Sequence, residues 1–491
     1  MVQLREKTAE TADFISIARK IHVITKTAGI PLLINDRIDV ALAIGCEGVH
    51  IGQDDMPLST ARQLLGPEAI IGVTANSAEE AITAAKAGAD YLGIGTVFAT
   101  LTKENTKSII GVSGLRDILQ SLAASSETAS VKTVCIGGIN ASNCQRVLYQ
   151  SATPSKKLDG VAVVSAIVAA ANASEATSSL RKLIASEPPF VNAGRKRLEQ
   201  LPKRIELDVP THVKAVAETN PLCHNMTNLV VQNFAANVAL CVGASPIMSN
   251  NGLEASDLAN LGGALVVNMG TVTPEGLSNY LQALRAYNAV GGPVILDPVG
   301  AGATQQRRDA VRQLMAGGYF DVIKGNENEI RTCAGMSGVQ QRGVDSGAST
   351  ATMKEKAELV KTLAARERNI VLMTGEVDLV SDGHMTLAVS NGHKYLGNIT
   401  GSGCTLGTTI ASFLVVNRED QKLLKVLAGI LVYEIAAERA AERADVKGPG
   451  TFVPAFLDEL YRIREETKTG DTEWLTRARV ESVDAEKIGA T

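Results

Sequence analysis

The chain has 491 residues, too many for one ordinary core, so two or three domains are expected. Hydrophobic residues at 45% with 44 Gly fit well-packed α/β domains and argue against disorder. Aromatics at 3% and a formal charge of −4 argue against a nucleic-acid partner, which needs stacking platforms or a basic field, but leave small anionic substrates open.

From residue 1 to about 185, short apolar strands alternate with amphipathic helices. The predicted strands are "VQLRE", "PLLIND", "GVHIGQ", "AIIGVTA", "YLGIGTVF", "KTVCIGGI" and "GVAVVSAI". Helices such as "ADFISIARKIHVITKTAG" and "SAEEAITAAKAGA" lie between them, apolar at i, i+3 and i+4. This alternation predicts parallel strands with crossover helices. Seven such units approach a (β/α)8-type TIM barrel, whose chemistry gathers at the C-terminal ends of the strands. The polar groups "REK", "ND", "GQDD" and "GGI" all fall at those ends. The chain opens on what reads as the middle of an element, so the barrel is expected to lack its first βα unit.

Residues 186–215, which open with "SEPPFVNAGRKRLEQLPKRIELDVP", are rich in Pro and charge and read as a linker. Alternation resumes from "NPLCHNMTN", with predicted strands "SPIMS", "ALVVNMG", "PVILDPVG", "DVIKGN" and "IVLMTGEVDLVS". A second α/β domain is expected over 216–467 and a loose polar tail over 468–491. The seven cysteines show no CxxC pair, and most sit in apolar runs such as "VALCVGA". No disulfide framework or zinc site is expected. No signal peptide precedes "MVQLREK", and no apolar run reaches the roughly 18 residues of a membrane span. A cytoplasmic protein without a membrane partner is the expectation.

Gln3, Arg5 and Lys7 alternate along the first strand, so period two points them to one side, as a donor set for pyrophosphate. Asn35 and Asp36, and then Asp55, end the next two strands, where carboxylates on neighbouring strands can share Mg2+. Helix capping is the plainer use of such aspartates. Thr100, Thr102 and Lys103 follow the fifth strand with groups that suit a phosphate. Gly138 and Ser165 follow the last two, where barrels build phosphate sites from backbone N–H groups.

In this order the motifs QxREK, ND, GQxD, TxTK, IGGI and AVVSAI resemble thiamine-phosphate synthase, over nearly all of residues 1–185. Members join hydroxymethylpyrimidine diphosphate to a thiazole phosphate. The resemblance implies that Gln3, Arg5, Lys7 and Asn35 hold the diphosphate and that Asp36 and Asp55 bind Mg2+. It gives Thr74 a substrate-binding place where the family usually has Ser. Thr100, Thr102, Lys103, Gly138 and Ser165 would hold the thiazole phosphate. Leu101 departs from the family's usual Pro or polar residue. Members also carry one more strand and helix before "VQLREK".

The strongest single motif is "NITGSGCTLG" (398–407), followed by the apolar stretch "TTIASFLVV". Gly401, Ser402 and Gly403 at a helix start turn N–H groups toward an anion. Cys404 in the first turn is expected to have a lowered pKa, which would make it a base near neutral pH. "ILDPVGAGAT" and "KGNENEI" each follow a strand, so Asp297 and Glu329 can face one Mg2+–phosphate site beside Lys324. "MTGEVD" places Thr374 after another strand, within reach of a nucleotide. With "PLCHNMTNLVVQNFAAN" and "GASPIM", this set closely resembles hydroxyethylthiazole kinase of the ribokinase-like fold, from about 216 to 465. The resemblance implies ATP as co-substrate, Cys404 as base and Gly401–Gly403 as the anion hole. Asn225 and Met248 would line the thiazole pocket, and Lys324 and Thr374 would contact ATP. It also implies a homo-oligomer, trimer or hexamer.

A thiazole kinase makes the phosphate that such a synthase consumes, and the whole chain resembles fused enzymes of fungal thiamine synthesis. The expectation is a bifunctional enzyme of small-molecule substrates. The alternative is a thiazole kinase whose incomplete barrel serves only oligomerisation or regulation.

Overall fold

The computed structural model of the chain describes residues 1–98, 109–191, 201–336, 351–417 and 422–483. It divides into two units, Met1–Glu187 and Pro188–Thr491.

In the first unit, β1 (Val2–Leu4), β2 (Leu32–Asn35), β3 (Gly48–Ile51), β4 (Ile70–Ala75), β5 (Tyr91–Ile94), β6 (Lys132–Ile136) and β7 (Gly160–Ala162) form one parallel sheet in sequential order. Each predicted strand is present. Strands buried on both faces read as apolar runs, and Leu32, Ile34, Val49, Ile71 and Leu92 pack against Phe14, Ala18, Leu115 and Leu119 of the covering helices. Gly72 is needed where β4 passes Tyr91, because a Cβ there would lie 2.1 Å from the tyrosine Cζ. Strictly sequential parallel order is that of a (β/α)8-type barrel wall. Among the described residues no pairing joins β1 to β7, so the wall has two outer edges.

The second unit holds β8 (Leu222–Met226), β9 (Ser245–Ile247), β10 (Ala264–Asn268), β11 (Val294–Asp297), β12 (Val322–Asn326), β13 (Ile370–Thr374), β14 (Asp378–Ser381), β15 (Thr386–Val389) and β16 (Val480–Ser482). Their order is β16-β15-β14-β13-β12-β11-β10-β8-β9, parallel from β9 to β13 and antiparallel beyond. One face packs against the Leu201–Thr219, Ser402–Val415, Lys422–Glu442 and Pro449–Lys468 helices, whose core includes Val213, Ile410, Leu427 and Phe456. The other face is covered by the Pro274–Val290, Gln305–Gly317 and Met353–Glu367 helices.

Three sequence expectations are corrected here. The expected 186–215 linker contains most of the Leu201–Thr219 helix, whose Ile205, Val209, Val213 and Val216 are buried at helical spacing despite Pro210. "IVLMTGEVDLVS" is two strands, because the polar turn between Thr374 and Asp378 reverses the chain into an antiparallel pair. The expected loose tail instead buries Trp474 and adds β16 beside β15, with Val480 opposite Val389. This unit therefore exceeds 216–467 at both ends, with Phe190 stacked on Tyr319 at 4.6 Å between ring centroids.

Candidate functional site

In the first unit the polar residues that end β1, β2 and β3 meet. Gln3 Nε2 donates to Asn35 Oδ1 at 2.7 Å, and Lys7 Nζ pairs with Asp36 Oδ2. Asp36 adopts a left-handed φ of 64°, which Asp tolerates better than most residues. Its carboxyl hydrogen-bonds that of Asp55, and Asp55 Oδ2 also accepts from the Gly52 N–H at 2.7 Å. Burial, and then Asp36, raises the Asp55 carboxyl above the usual range. Two touching carboxyls beside a lysine need a proton or a cation between them, so this pair fits Mg2+.

Thr74 Oγ1 lies 2.9 Å from His50 Nε2, and His50 Nδ1 lies 2.8 Å from the Tyr91 hydroxyl. Gln53 Nε2 donates to the Thr74 carbonyl at 2.5 Å. His50 and Tyr91 were not predicted; the available signal was a lone imidazole inside the apolar strand "GVHIG". Gly138, at φ 67°, follows β6, and exposed Ser165 opens the Ser165–Val168 helix after β7. Arg5 is exposed just past β1. Thr100, Thr102 and Lys103 lie outside the described residues.

In the second unit the site is built where β10, β11 and β12 end beneath the Ser402–Val415 helix. Gly401 caps that helix at φ 88°, and a Cβ there would lie 2.5 Å from Val231 Cγ2, so only glycine fits. Ser402 Oγ donates to the Leu396 carbonyl at 2.6 Å, which leaves its contribution to an anion to the backbone. The first-turn N–H groups have no intrahelical acceptor. A Cβ on Gly403 would sit 3.7 Å from Lys324 Nζ, so the lysine lies directly against the turn.

Lys324 Nζ is 3.3 Å from Asp297 Oδ1, both side chains being almost fully buried. Burial alone would lower the Lys324 ammonium, but Asp297, Cys404 and Glu329 carry it above its usual range. Asp297 is raised by burial against the pull of Lys324. Glu329 is pushed up to about 7 by burial and then by Asp297. Its Oε1 accepts from Gly300 N–H and its Oε2 from Asn326 N–H, each at 2.8 Å. Among the described residues the partner of Asp297 Oδ1 is the Lys324 ammonium. A buried carboxylate whose charge raises a second one beside a single lysine leaves negative charge that fits a divalent cation.

Cys404 departs from the expected direction of its pKa. Burial, then the Asp297 carboxylate, pushes the thiol up to about 12, against the pull of Lys324, Asn268 and Asn228. Asn225 is buried, donates to the Cys223 carbonyl at 2.9 Å and accepts from Thr408 Oγ1 at 2.7 Å, tying β8 to the helix. Asn228 is the neighbour that meets the thiol, its Nδ2 lying 3.5 Å from Cys404 Sγ. The same Nδ2 donates to Asn268 Oδ1 at 3.0 Å, and Asn268 Nδ2 donates to Asp297 Oδ2 at 2.8 Å. Neither Asn228 nor Asn268 was predicted, although both stand in quoted motifs. Met248 follows β9, half-buried. Thr374 ends β13, and the next N–H, that of Gly375, donates to Asp378 Oδ1 at 2.9 Å.

Fold and site together define a two-part α/β enzyme, a synthase-type barrel wall followed by a small-molecule kinase. A family model for the hydroxyethylthiazole kinase family matches residues 213–466, and one for thiamine monophosphate synthase matches residues 1–167. The probable thiamine biosynthetic bifunctional enzyme of Schizosaccharomyces pombe is 43% identical over 490 residues, covering 99% of this chain and 93% of its own length. The thiamine biosynthetic bifunctional enzyme of Saccharomyces cerevisiae is 38% identical over 497 residues, covering 95% and 90%. The hydroxyethylthiazole kinase of Halalkalibacterium halodurans is 38% identical over 255 residues, 52% of this chain and 95% of its own length. The chain belongs to the bifunctional thiamine biosynthetic enzymes, with a thiamine-phosphate synthase domain fused to a hydroxyethylthiazole kinase domain.

Proposed function

We propose that the chain carries out two consecutive steps. Its second unit phosphorylates 4-methyl-5-(2-hydroxyethyl)thiazole with ATP. Its first unit joins the thiazole phosphate to hydroxymethylpyrimidine diphosphate, giving thiamine phosphate and pyrophosphate. The observation that carries this reading is shared by both units: two carboxylates and one lysine converge at the C-terminal ends of parallel strands. They are Asp36 and Asp55 with Lys7, and Asp297 and Glu329 with Lys324.

In the kinase, the Gly401–Cys404 turn and Lys324 stabilise the transferring phosphoryl group, while the turn after Thr374 contacts ATP. Cys404 serves as base only after its own thiol proton has passed to solvent in the substrate-bound site. The thiolate then takes the proton of the thiazole alcohol as the alcohol oxygen bonds to the γ-phosphorus and the bond to ADP breaks. Asp297 and Glu329 would hold Mg2+, which neutralises the phosphates. In the synthase, Gln3, Arg5, Lys7 and Asn35 hold the diphosphate, with Asp36 and Asp55 as the Mg2+ ligands. Thr74 contacts the pyrimidine, and Thr100, Thr102, Lys103, Gly138 and Ser165 the thiazole phosphate. The C–O bond to pyrophosphate breaks and the thiazole nitrogen captures the carbon, so little acid-base work is needed.

Exposed Leu229, Val230, Leu240, Leu253 and Leu261 on the kinase unit support a homo-oligomer. Among the described residues no helix is long and apolar enough to cross a membrane, which is consistent with a cytoplasmic enzyme.

One observation favours a second reading, a thiazole kinase carrying a silent barrel: among the described residues the wall is unpaired between β1 and β7. A split assay separates the two. The full chain receives thiazole alcohol with ATP, and separately pyrimidine diphosphate with preformed thiazole phosphate. Both products support the first reading. Phosphorylation without thiamine phosphate supports the second. Failure of phosphorylation in a folded sample overturns both.

A further inference from the structure

Two successive residues of the Lys422–Glu442 helix touch two different parts of the kinase site. The Tyr433 hydroxyl lies 2.6 Å from Thr405 Oγ1 and donates to the Ser402 carbonyl at 2.8 Å, bracing the start of the glycine-rich helix. Glu434 and Asp378 are 6% and 4% exposed, and their carboxyls are neighbours. Glu434 Oε2 and Asp378 Oδ2 are both buried with no donor to them among the described residues, so only a proton held between the carboxyls would join them. Asp378 opens β14 and closes the turn after Thr374 by accepting the Gly375 N–H. Gly392 passes over the pair, and a Cβ there would lie 3.8 Å from Glu434 Cδ.

Two carboxylates cannot hydrogen-bond without a proton between them. Burial raises both groups, and Asp378 raises Glu434 further. The charged groups around them pull in opposite directions. Lys324 from β12 favours the Asp378 carboxylate, while Glu438, one helical turn on, disfavours the Glu434 carboxylate. Arg479 favours it from just before β16, but is paired with Glu438 Oε1 at 2.6 Å. The Tyr433 phenol is itself pushed up by burial.

We propose that the Asp378–Glu434 carboxyl pair is a positioning device for the nucleotide turn, and that the proton it shares is a condition of tight ATP binding. This rests on the reading above that the turn after Thr374 contacts ATP. While the proton is held, Asp378 stays in place and fixes Gly375. The raised titration of the pair sets the sign: its stabilisation is present at low pH and is lost as pH rises through that titration. The two buried carboxylates then repel, Gly375 N–H loses its acceptor, and ATP binds less tightly.

The test measures KM for ATP and for the thiazole alcohol on the full chain between about pH 7 and about pH 9.5, a window above ordinary carboxylate titration. The wild-type KM for ATP is expected to rise at least about fivefold across it, the scale of one lost hydrogen bond, while KM for the alcohol does not follow. Glu434→Gln donates to Asp378 without a titrating proton, so its KM for ATP should stay flat. Asp378→Asn, which still accepts from Gly375 and donates to Glu434, should flatten it too and covers the case in which the first variant fails to fold. A flat wild-type profile, or variants that follow the wild-type rise, overturns the proposal. Thr374→Ala tests the underlying reading separately. If it leaves KM for ATP unchanged, the turn is no nucleotide contact. If it raises KM while the pH profiles coincide, only the carboxyl pair is refuted.

Discussion

Lys324 Nζ lies 3.3 Å from Asp297 Oδ1, with both side chains closed off from water. Taking one member of a buried ion pair away leaves the other uncompensated, at about 3–5 kcal/mol. Lys324→Met should therefore lower the melting temperature as well as abolish phosphorylation. Adding Asp297→Asn should restore most of the stability and none of the kinase activity. Thermal denaturation of the single and double variants, with a phosphorylation assay, checks this. A double variant no more stable than Lys324→Met would show that the pair is not where the stability resides.

Cys404 carries a second prediction. Its thiol is pushed up to about 12, so in the free enzyme a proton must leave before the sulfur can accept another. A carboxylate at that position needs no such step. Cys404→Asp should keep substantial kinase activity and Cys404→Ala should lose at least about 100-fold, the low end of what a general base contributes. Equal inactivity of both variants would assign Cys404 a steric role. Synthase turnover in the same preparations serves as the control for folding.

The backbone was more legible than the chemistry. Six of the seven strands of the first unit are readable because buried parallel strands are written as continuous apolar runs, from "PLLIND" to "GVAVVSAI". β14 was hidden because Val377 and the run from Asp378 continue an apolar pattern across a turn. The helix from Leu201 was hidden because Lys, Arg, Glu and Pro fill its solvent face, masking Ile205, Val209, Val213 and Val216. In the site, Asp297, Lys324 and Glu329 come together because residues at strand ends inherit their position from the strand. Polar networks are another matter. That Asn228 meets Cys404, and that burial raises the thiol, depends on contacts between segments 176 residues apart.

Asp36 and Asp55 touch in the first unit, and Asp55 is raised by burial and by Asp36. Asp36→Asn would relieve that repulsion and remove one anionic ligand. Mg2+ binding measured by calorimetry in the presence of pyrophosphate should weaken about tenfold or more, since Mg2+ relies on one or two carboxylates plus phosphate oxygens. Kinase turnover should be unaffected. Unchanged Mg2+ binding would exclude this pair as the metal site.

His50 bridges Thr74 and Tyr91, so the orientation of the Thr74 hydroxyl depends on a side chain from each neighbouring strand. His50→Ala leaves a buried phenol and a threonine hydroxyl without their partner, at about 1–3 kcal/mol. Tyr91→Phe removes only the outer bond of the chain. Synthase turnover should therefore fall much further in His50→Ala than in Tyr91→Phe, with phosphorylation unchanged in both. KM for the pyrimidine diphosphate is the diagnostic quantity. If His50 acts by aiming Thr74 at that substrate, Thr74→Val should raise KM as His50→Ala does, and combining the two should add little. Full additivity would mean that His50 supports the strand and not the hydroxyl.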